Sequence, residues 1–552
     1  MHLHLALIFC VLCGSSQAAT YVGGVLLTNT VWSSAGSANP YYLTQDVQVP
    51  RNVTLTIQAG VVINFTQGDF EILVKGYLKV EGTASQKVTF QGGSGSDLKY
   101  MLKFQSTRLP LTSIRYAQFK GPKSAVQITN SAPGLQQNTG KLVIESSIFS
   151  DGTTISANGI YPRANYSSVP SMEYISCSFS QTTVSSINTD SEPIRILNSK
   201  IFYGIFSPLA SNEGIQIENS TLRNITVSYD RQVTGPSIFR LNTSDITNLT
   251  IFYSNTYYYS SNTLATFVVG QSVIRDLNIA ISTSFSSFRP VEIILENSSI
   301  YNATTSYIST YYWYSYPPPP KISIRNCKFT LGNLTLIMGY YDHSLSIVNS
   351  ILTKVNITAP SKNDLGSNYL IKSFAMRNVS FTDGVIYLPY HQAQIVYSTI
   401  TLRSPLTING TSTILCSSVG RSSSIVQANS LGVDAAGLSL SRSTIKNFDI
   451  GLRVRPVSVY AVNISQTNFQ SNTQYNIDNK GTYDVLATGN YWGTNNAATI
   501  TNKINDYWDN INYGEVFYNN FTANPLAAET GCAAFDENQY TTTTPPPYYW
   551  GK

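Results

Sequence analysis

Charge is scarce in this chain. Of its 552 residues only 12% are Asp, Glu, Lys or Arg, and their formal balance is +5. With no basic cluster behind it, that balance excludes a nucleic-acid-binding footprint. Long surface helices draw heavily on Glu, Lys and Arg, so an all-helical fold is excluded as well. Histidine is rarer still, and beyond the first few residues only His343 and His391 occur. The two do not share a position in the repeat and read as lone surface or loop residues, and the cysteine spacing is unlike a metal-ligand motif, so no metal site and no cofactor is expected. After residue 18 no run reaches the ~18 uninterrupted apolar residues of a spanning helix, so no membrane span is expected. Ser, Thr, Asn, Ile and Val fill the chain instead, with 37 Tyr and 23 Phe. β-branched and aromatic residues in that proportion point to strands.

The amino terminus is a short apolar run ending in Cys13 and Gly14, followed by Ser16, Gln17 and Ala18. Small residues at positions 16 and 18 mark a signal-peptidase site, so 1–18 reads as a signal peptide and the product as secreted and extracellular. Fifteen Asn-x-Ser/Thr sequons lie between Asn52 and Asn520. Entry into the secretory route makes them usable for glycosylation. Asn52, Asn165, Asn302 and Asn356 are the preferred acceptors, because Asn219, Asn297 and Asn378 fall in a repeat that holds their side chains. Thr541 to Pro547 reads as an extended stalk with a mucin-like composition, within a flexible Thr/Pro-rich tail at 529–552.

One eight-residue phrase recurs: apolar, any, apolar, two bend residues, a small residue, any, apolar. Ile215 to Leu222, Ile194 to Ile201, Ile293 to Ile300, Ile322 to Phe329 and Leu345 to Leu352 are clear copies. The spacing of 19 to 30 residues is too long for hairpins and lacks helical periodicity. One coil of a solenoid per copy satisfies both facts. Strand side chains alternate, so both leading apolar positions face inward. The second bend residue is Asn at Asn198, Asn219, Asn297, Asn326, Asn349 and Asn378. Asn tolerates the left-handed backbone that a two-residue corner needs, and stacked corners predict an asparagine ladder.

The phrase, the Asn corner and the variable coil length resemble the right-handed parallel β-helix superfamily typified by pectate lyases. Val49 to Phe65 and Gly76 to Ala84 resemble the opening coils of secreted members, and Asn490 to Thr494 with 500–521 their closing segment. The likeness implies an all-β, right-handed, single-stranded parallel β-helix of about 15 or more coils. It would occupy 19–528, with amino-terminal cap coils and a C-terminal cap at about 485–528. Ile500, Ile504, Tyr507 and Trp508 share helical spacing and predict a capping helix. A carbohydrate site built on Trp492 and Trp508 is the alternative. The superfamily holds lyases, hydrolases, adhesins and proteins of unknown role, so it implies fold rather than function.

Of the polygalacturonase signatures only Asn188-Thr189-Asp190 is present, so no catalytic residue is assigned. Glu296 and Arg325 share a column on adjacent coils and predict a surface ion pair. Cys177 and Cys327 share the inward column many coils apart, beyond disulfide reach, and read as buried free thiols. Cys532, in the tail, is the residue left to pair with another thiol. The best candidates for ligand contact are two aromatic loops. One holds Tyr257, Tyr258 and Tyr259, the other Tyr311, Tyr312, Trp313 and Tyr314. Tyrosine faces suit stacking on sugar or protein, and equally suit packing over the solenoid itself. Two functions remain: a non-enzymatic secreted scaffold or adhesive surface protein, or a polysaccharide-acting enzyme with a non-standard site.

Overall fold

The computed structural model describes 19–527 and Cys532, apart from 37, 94–99, 106–108, 122–123, 130–139, 159–171, 190–193, 231–236, 256–264, 285–290, 311–320, 336–343, 359–370, 390, 424–428 and 457–459. The protein is an all-β parallel solenoid of about 14 turns, 61% strand and 2% helix, consistent with a right-handed parallel β-helix. Among the described residues the last strands are the two-residue Ile504–Asn505 and Val516–Phe517. The chain divides into two compact units, 1–205 and 206–552.

In the first unit three stacks of parallel strands repeat coil by coil. Thr54–Gln58 pairs with Tyr77–Glu81, which pairs with Ser113–Arg115 and so on to Leu142–Glu145 and Met172–Ile175. Fixed register puts like residues above like. Phe90, Phe119, Phe149 and Phe179 occupy one inward position and stack with centroids 4.7, 4.9 and 5.1 Å apart and planes within 9°. All four are buried.

The second unit begins with long strands, Thr221–Asp230, Asp245–Asn255, Val273–Ser284, Ser299–Thr310, Lys328–Thr335, Ile351–Thr358 and Ser380–Tyr387, paired in that order. Each bends once, at a left-handed residue: Asn224, Asn248, Asp276, Asn302, Leu331, Lys354 and Asp383 have φ between 55° and 62°. The phrase strands form a second stack, from Ser237–Asn242 through Ala265–Gly270 and Val291–Glu296 to Lys321–Arg325 and beyond.

The α-helix at the carboxyl end differs from the expectation. It spans only Ala497–Thr501, started by Asn496, whose side chain accepts from Thr499 N–H at 3.1 Å. Ile504 leaves it for a strand bridge to Ile477. Ile500 and Ile504 are buried, but Tyr507 and Trp508 are exposed, Trp508 by 76%. Three β-branched residues among its five, with Asn502 at the exit, do not sustain a longer helix here. Val516–Phe517 returns as a strand beside Val485–Thr488.

Candidate functional site

The corner of the phrase is defined by backbone rather than by residue type. Asn198, Asn219, Asn297, Asn326, Asn349 and Asn378 have φ from 48° to 51°. Asn326 Nδ2 donates to Asn297 Oδ1 at 3.2 Å and Asn378 Nδ2 to Asn349 Oδ1 at 2.8 Å. Thr243, Gln271, Tyr397, Cys416, Arg442 and Gln466 take the same conformation, φ 47° to 52°. In the first unit Tyr116, Ser146 and Ser176 do so too, with φ 49° to 54°, so Asn marks fewer than half of the corners.

The small residue after the corner has a role the sequence did not disclose. Ser244 Oγ accepts from Ser220 N–H at 3.3 Å, Ser272 Oγ from Ser244 N–H at 3.2 Å and Ser298 Oγ from Ser272 N–H at 3.1 Å. Each hydroxyl also donates to the carbonyl two residues before it, as Ser244 does to Asn242 O at 2.7 Å. A buried serine ladder thus satisfies the N–H groups that the corners leave unpaired. The unit 206–552 continues it at Ser350, Ser398, Ser417 and Ser443. Its signal was the Asn-Ser pair in four of the five clear copies.

Cys327 occupies a rung, its N–H donating to Ser350 Oγ and its thiol to Arg325 O at 3.1 Å. In the other unit Cys177 does the same with Ser199 Oγ. Both thiols are free and buried, and burial pushes Cys177 up to about 12 and Cys327 to about 11. Neither forms appreciable thiolate near neutrality. Native protein at pH 8 should therefore resist iodoacetamide. Unfolding without reductant should expose two alkylatable thiols if residues 1–18 are removed, and four if Cys10 and Cys13 remain, counted by mass spectrometry. The partner of Cys532 is Cys416, with Cα atoms 6.1 Å apart.

The chemistry-bearing side chains gather in one column. Asp434, Arg453, Asp478 and Asn505 follow one another in register on successive coils. Arg453 Nε lies 2.9 Å from Asp478 Oδ2, and Asn505 donates to Asp478 Oδ1 at 2.7 Å. Asp478 is only 1% exposed, so both of its oxygens are spent inside the protein. Desolvation raises Asp434, and Arg455, with Nε 4.0 Å away, opposes that rise. Arg455 itself donates to the carbonyls of Ile408 and Pro389. Two acids and two cations side by side resemble an enzyme's layout, but their bonds run between coils and pin them together.

The remaining expectations distribute as follows. Tyr257, Tyr258, Tyr259, Tyr311, Tyr312, Trp313 and Tyr314 lie outside the described residues, as do Asn165 and His343; of His391 only the backbone is described. Asn52 is exposed in a turn with φ 64°. Asn302 and Asn356, set apart from the ladder as acceptors, make ladder bonds of their own. Asn302 Nδ2 donates to Asp276 Oδ1 at 2.6 Å, and Asn356 Nδ2 to Asn333 Oδ1 at 2.8 Å. Glu296 and Arg325 are register neighbours, but Arg325 Nε donates to Ser323 Oγ at 3.2 Å and the two form no ion pair. An exposed pair has too little to gain to hold two long side chains together. Trp492 is buried and stacks on Phe469 at 5.1 Å, whereas exposed Trp508 donates to Glu515. The two tryptophans therefore differ in environment, one in the core and one on the surface.

The long strands of the second unit align their outward residues in columns. Beyond the bend, Thr226, Thr250, Asn278, Thr304, Asn333 and Asn356 form one column. Ser228, Phe252, Ala280 and Ser306 form the next, continued by Thr335, Thr358 and Tyr387. All are exposed or half-buried, and none is charged. No protein-family model, curated protein or solved structure matches the chain, so the pectate-lyase-like likeness rests on the repeat phrase and the coils themselves.

Proposed function

We propose that the protein is a secreted, glycosylated, non-enzymatic scaffold whose solenoid surface adheres to an extracellular partner. The observation that carries this reading is the uncharged face of hydroxyls and amides in the second unit. A rigid solenoid repeats one chemical group at ~4.8 Å intervals, as an extended repeating partner requires. The Cys416–Cys532 disulfide supports an oxidising compartment, where such bridges persist. The coil-to-coil bonds of the Asp434–Arg453–Asp478 column favour adhesion over hydrolysis.

Expression in a secretory host should deliver the chain to the medium without residues 1–18 and bearing N-glycans. A glycan array, run beside an assay for unsaturated or reducing sugar ends, should show binding without turnover. Release of sugar ends that is lost in Asp434→Asn would replace this reading with an enzymatic one.

A further inference from the structure

We propose that the face formed by Thr226, Thr250, Asn278, Thr304, Asn333 and Asn356, with its neighbouring column, binds an uncharged polysaccharide chain lying along the stacking direction, one sugar ring per coil. This rests on the adhesive reading and names its ligand and its surface.

Spacing is the first support. Strand neighbours stand ~4.8 Å apart, close to the advance of one ring along an extended glycan. Outward positions two apart on a strand lie ~6.6 Å apart, so the two columns offer polar groups to both edges of a sugar. Chemistry is the second. The hydroxyls of Thr226, Ser228, Thr250 and Ser306 have no protein partner among the described residues and are half-exposed. A hydroxyl both donates and accepts, as sugar hydroxyls do, so such a surface pairs without a fixed polarity. Other groups on the face are aligned by their neighbours: Thr304 Oγ1 donates to Asn278 Oδ1 at 3.3 Å, and Thr335 and Thr358 share a bond of 3.4 Å. This leaves the array ordered before any ligand arrives, which lowers the entropic cost of binding.

Charge is the third. The columns carry no ionisable side chain except the phenol of Tyr387, while the bend beside them bears Asp276, Lys354 and Asp383, and Arg403 touches one end through Asn356 Oδ1 at 3.0 Å. A polyanionic glycan would need cations along its length, and the face supplies none there. Two aromatic rings complete it. Phe252 is 38% exposed and Tyr387 42% exposed in the same column, roughly 24 Å apart at the coil spacing. Each offers an apolar platform to the flat side of a sugar ring.

The test uses the full-length secreted protein, retained on insoluble cellulose, chitin and β-1,3-glucan, with soluble polygalacturonate and heparin as competitors. Retention on one neutral polymer, undisturbed by either polyanion, is expected. Thr250→Lys with Thr304→Lys places two cations on the face at outward positions and should weaken retention at least about tenfold, or 1.4 kcal/mol. Thr382→Lys, exposed on the strand before the bend, should not weaken it. Unchanged circular dichroism and melting midpoint show that each variant folds, and Phe252→Ser gives a second, uncharged disruption. Equal retention of the face variants, with loss on replacing Tyr311, Tyr312 and Trp313 by Ala, overturns the face and leaves adhesion standing. An N-glycan found by mass spectrometry on Asn333 or Asn356 also overturns it, because the face would be covered. So does adsorption to ice with no retention on any polysaccharide. No binding on the array at all removes the adhesive reading itself.

Discussion

Replacing Phe119 by alanine should cost about 3–5 kcal/mol of stability, the range for removing a buried aromatic ring. Phe119 is fully buried, with Phe90 at 4.7 Å on one side and Phe149 at 4.9 Å on the other. Its ring is held by two coils that are themselves fixed by backbone pairing. The walls therefore cannot collapse into the space, and the loss should lie toward the upper end of that range. Phe119→Leu retains most of the volume and should cost clearly less. Urea denaturation read by near-ultraviolet dichroism measures both. A shift as small as that of a surface mutation would mean that the stacked rings contribute little to stability.

Removing the cross-link should have the next largest effect. Cys416 and Cys532 enclose a separation of 116 residues; disulfides typically contribute about 2–4 kcal/mol, and long loops lie at or above the upper end of that range. The enclosed segment holds the final coils, including the Asp478 and Trp492 regions. Within the bridged loop Leu526 also exchanges bonds of 2.8 and 2.9 Å with Asn468. Cys416→Ser with Cys532→Ser should therefore lower the urea midpoint and expose the chain after 527 to limited proteolysis. Dithiothreitol acting on the unaltered protein should reproduce both changes. An unchanged midpoint would show that the carboxyl-terminal coils stand without the bridge.

The fold was legible because parallel coils write their cross-section into the chain. Inward apolar positions, a bend and a small residue recur at the coil interval, most clearly in the copies from Ile215 to Leu352. The position of the left-handed corner could be read from Asn297 or Asn349. Looser copies of the phrase ending at Ile400, Val419 and Ile445 put Tyr397, Cys416 and Arg442 at the same corner, but those residue types do not announce a left-handed backbone, which pairing to both neighbouring coils holds whatever the side chain. Serine at the inner turn looked like a small space-filler. Its service as acceptor for the previous coil depends on stacking register, which a single copy of the phrase does not express.

The surface was less legible for a related reason. Asn-x-Thr at Asn224, Asn248 and Asn302 reads as a glycosylation sequon. In the solenoid the same spacing places Asn at the bend and Thr on the outward face, so the motif also follows from the architecture. The bend at Asn302 and the face at Thr304 are consecutive steps of one strand. The Asp434–Arg453–Asp478 column escaped notice because its members are about twenty residues apart and share no motif. Only register brings them together.

Coils joined side by side through backbone bonds along the stacking direction respond unevenly to force. Stretched from its ends, such a protein should peel one coil at a time, each release freeing about 25 residues, or roughly 85 Å of contour. The bridge from Cys532 to Cys416 diverts that load. Tension applied beyond residue 532 enters the chain at Cys416, so the coils between them stay slack while those before Cys416 unwind. The strands carrying the Thr and Asn columns lie in that loaded stretch. A grip on a surface through those columns would thus sit on the part of the molecule that yields stepwise, dissipating a tug before the attachment itself lets go.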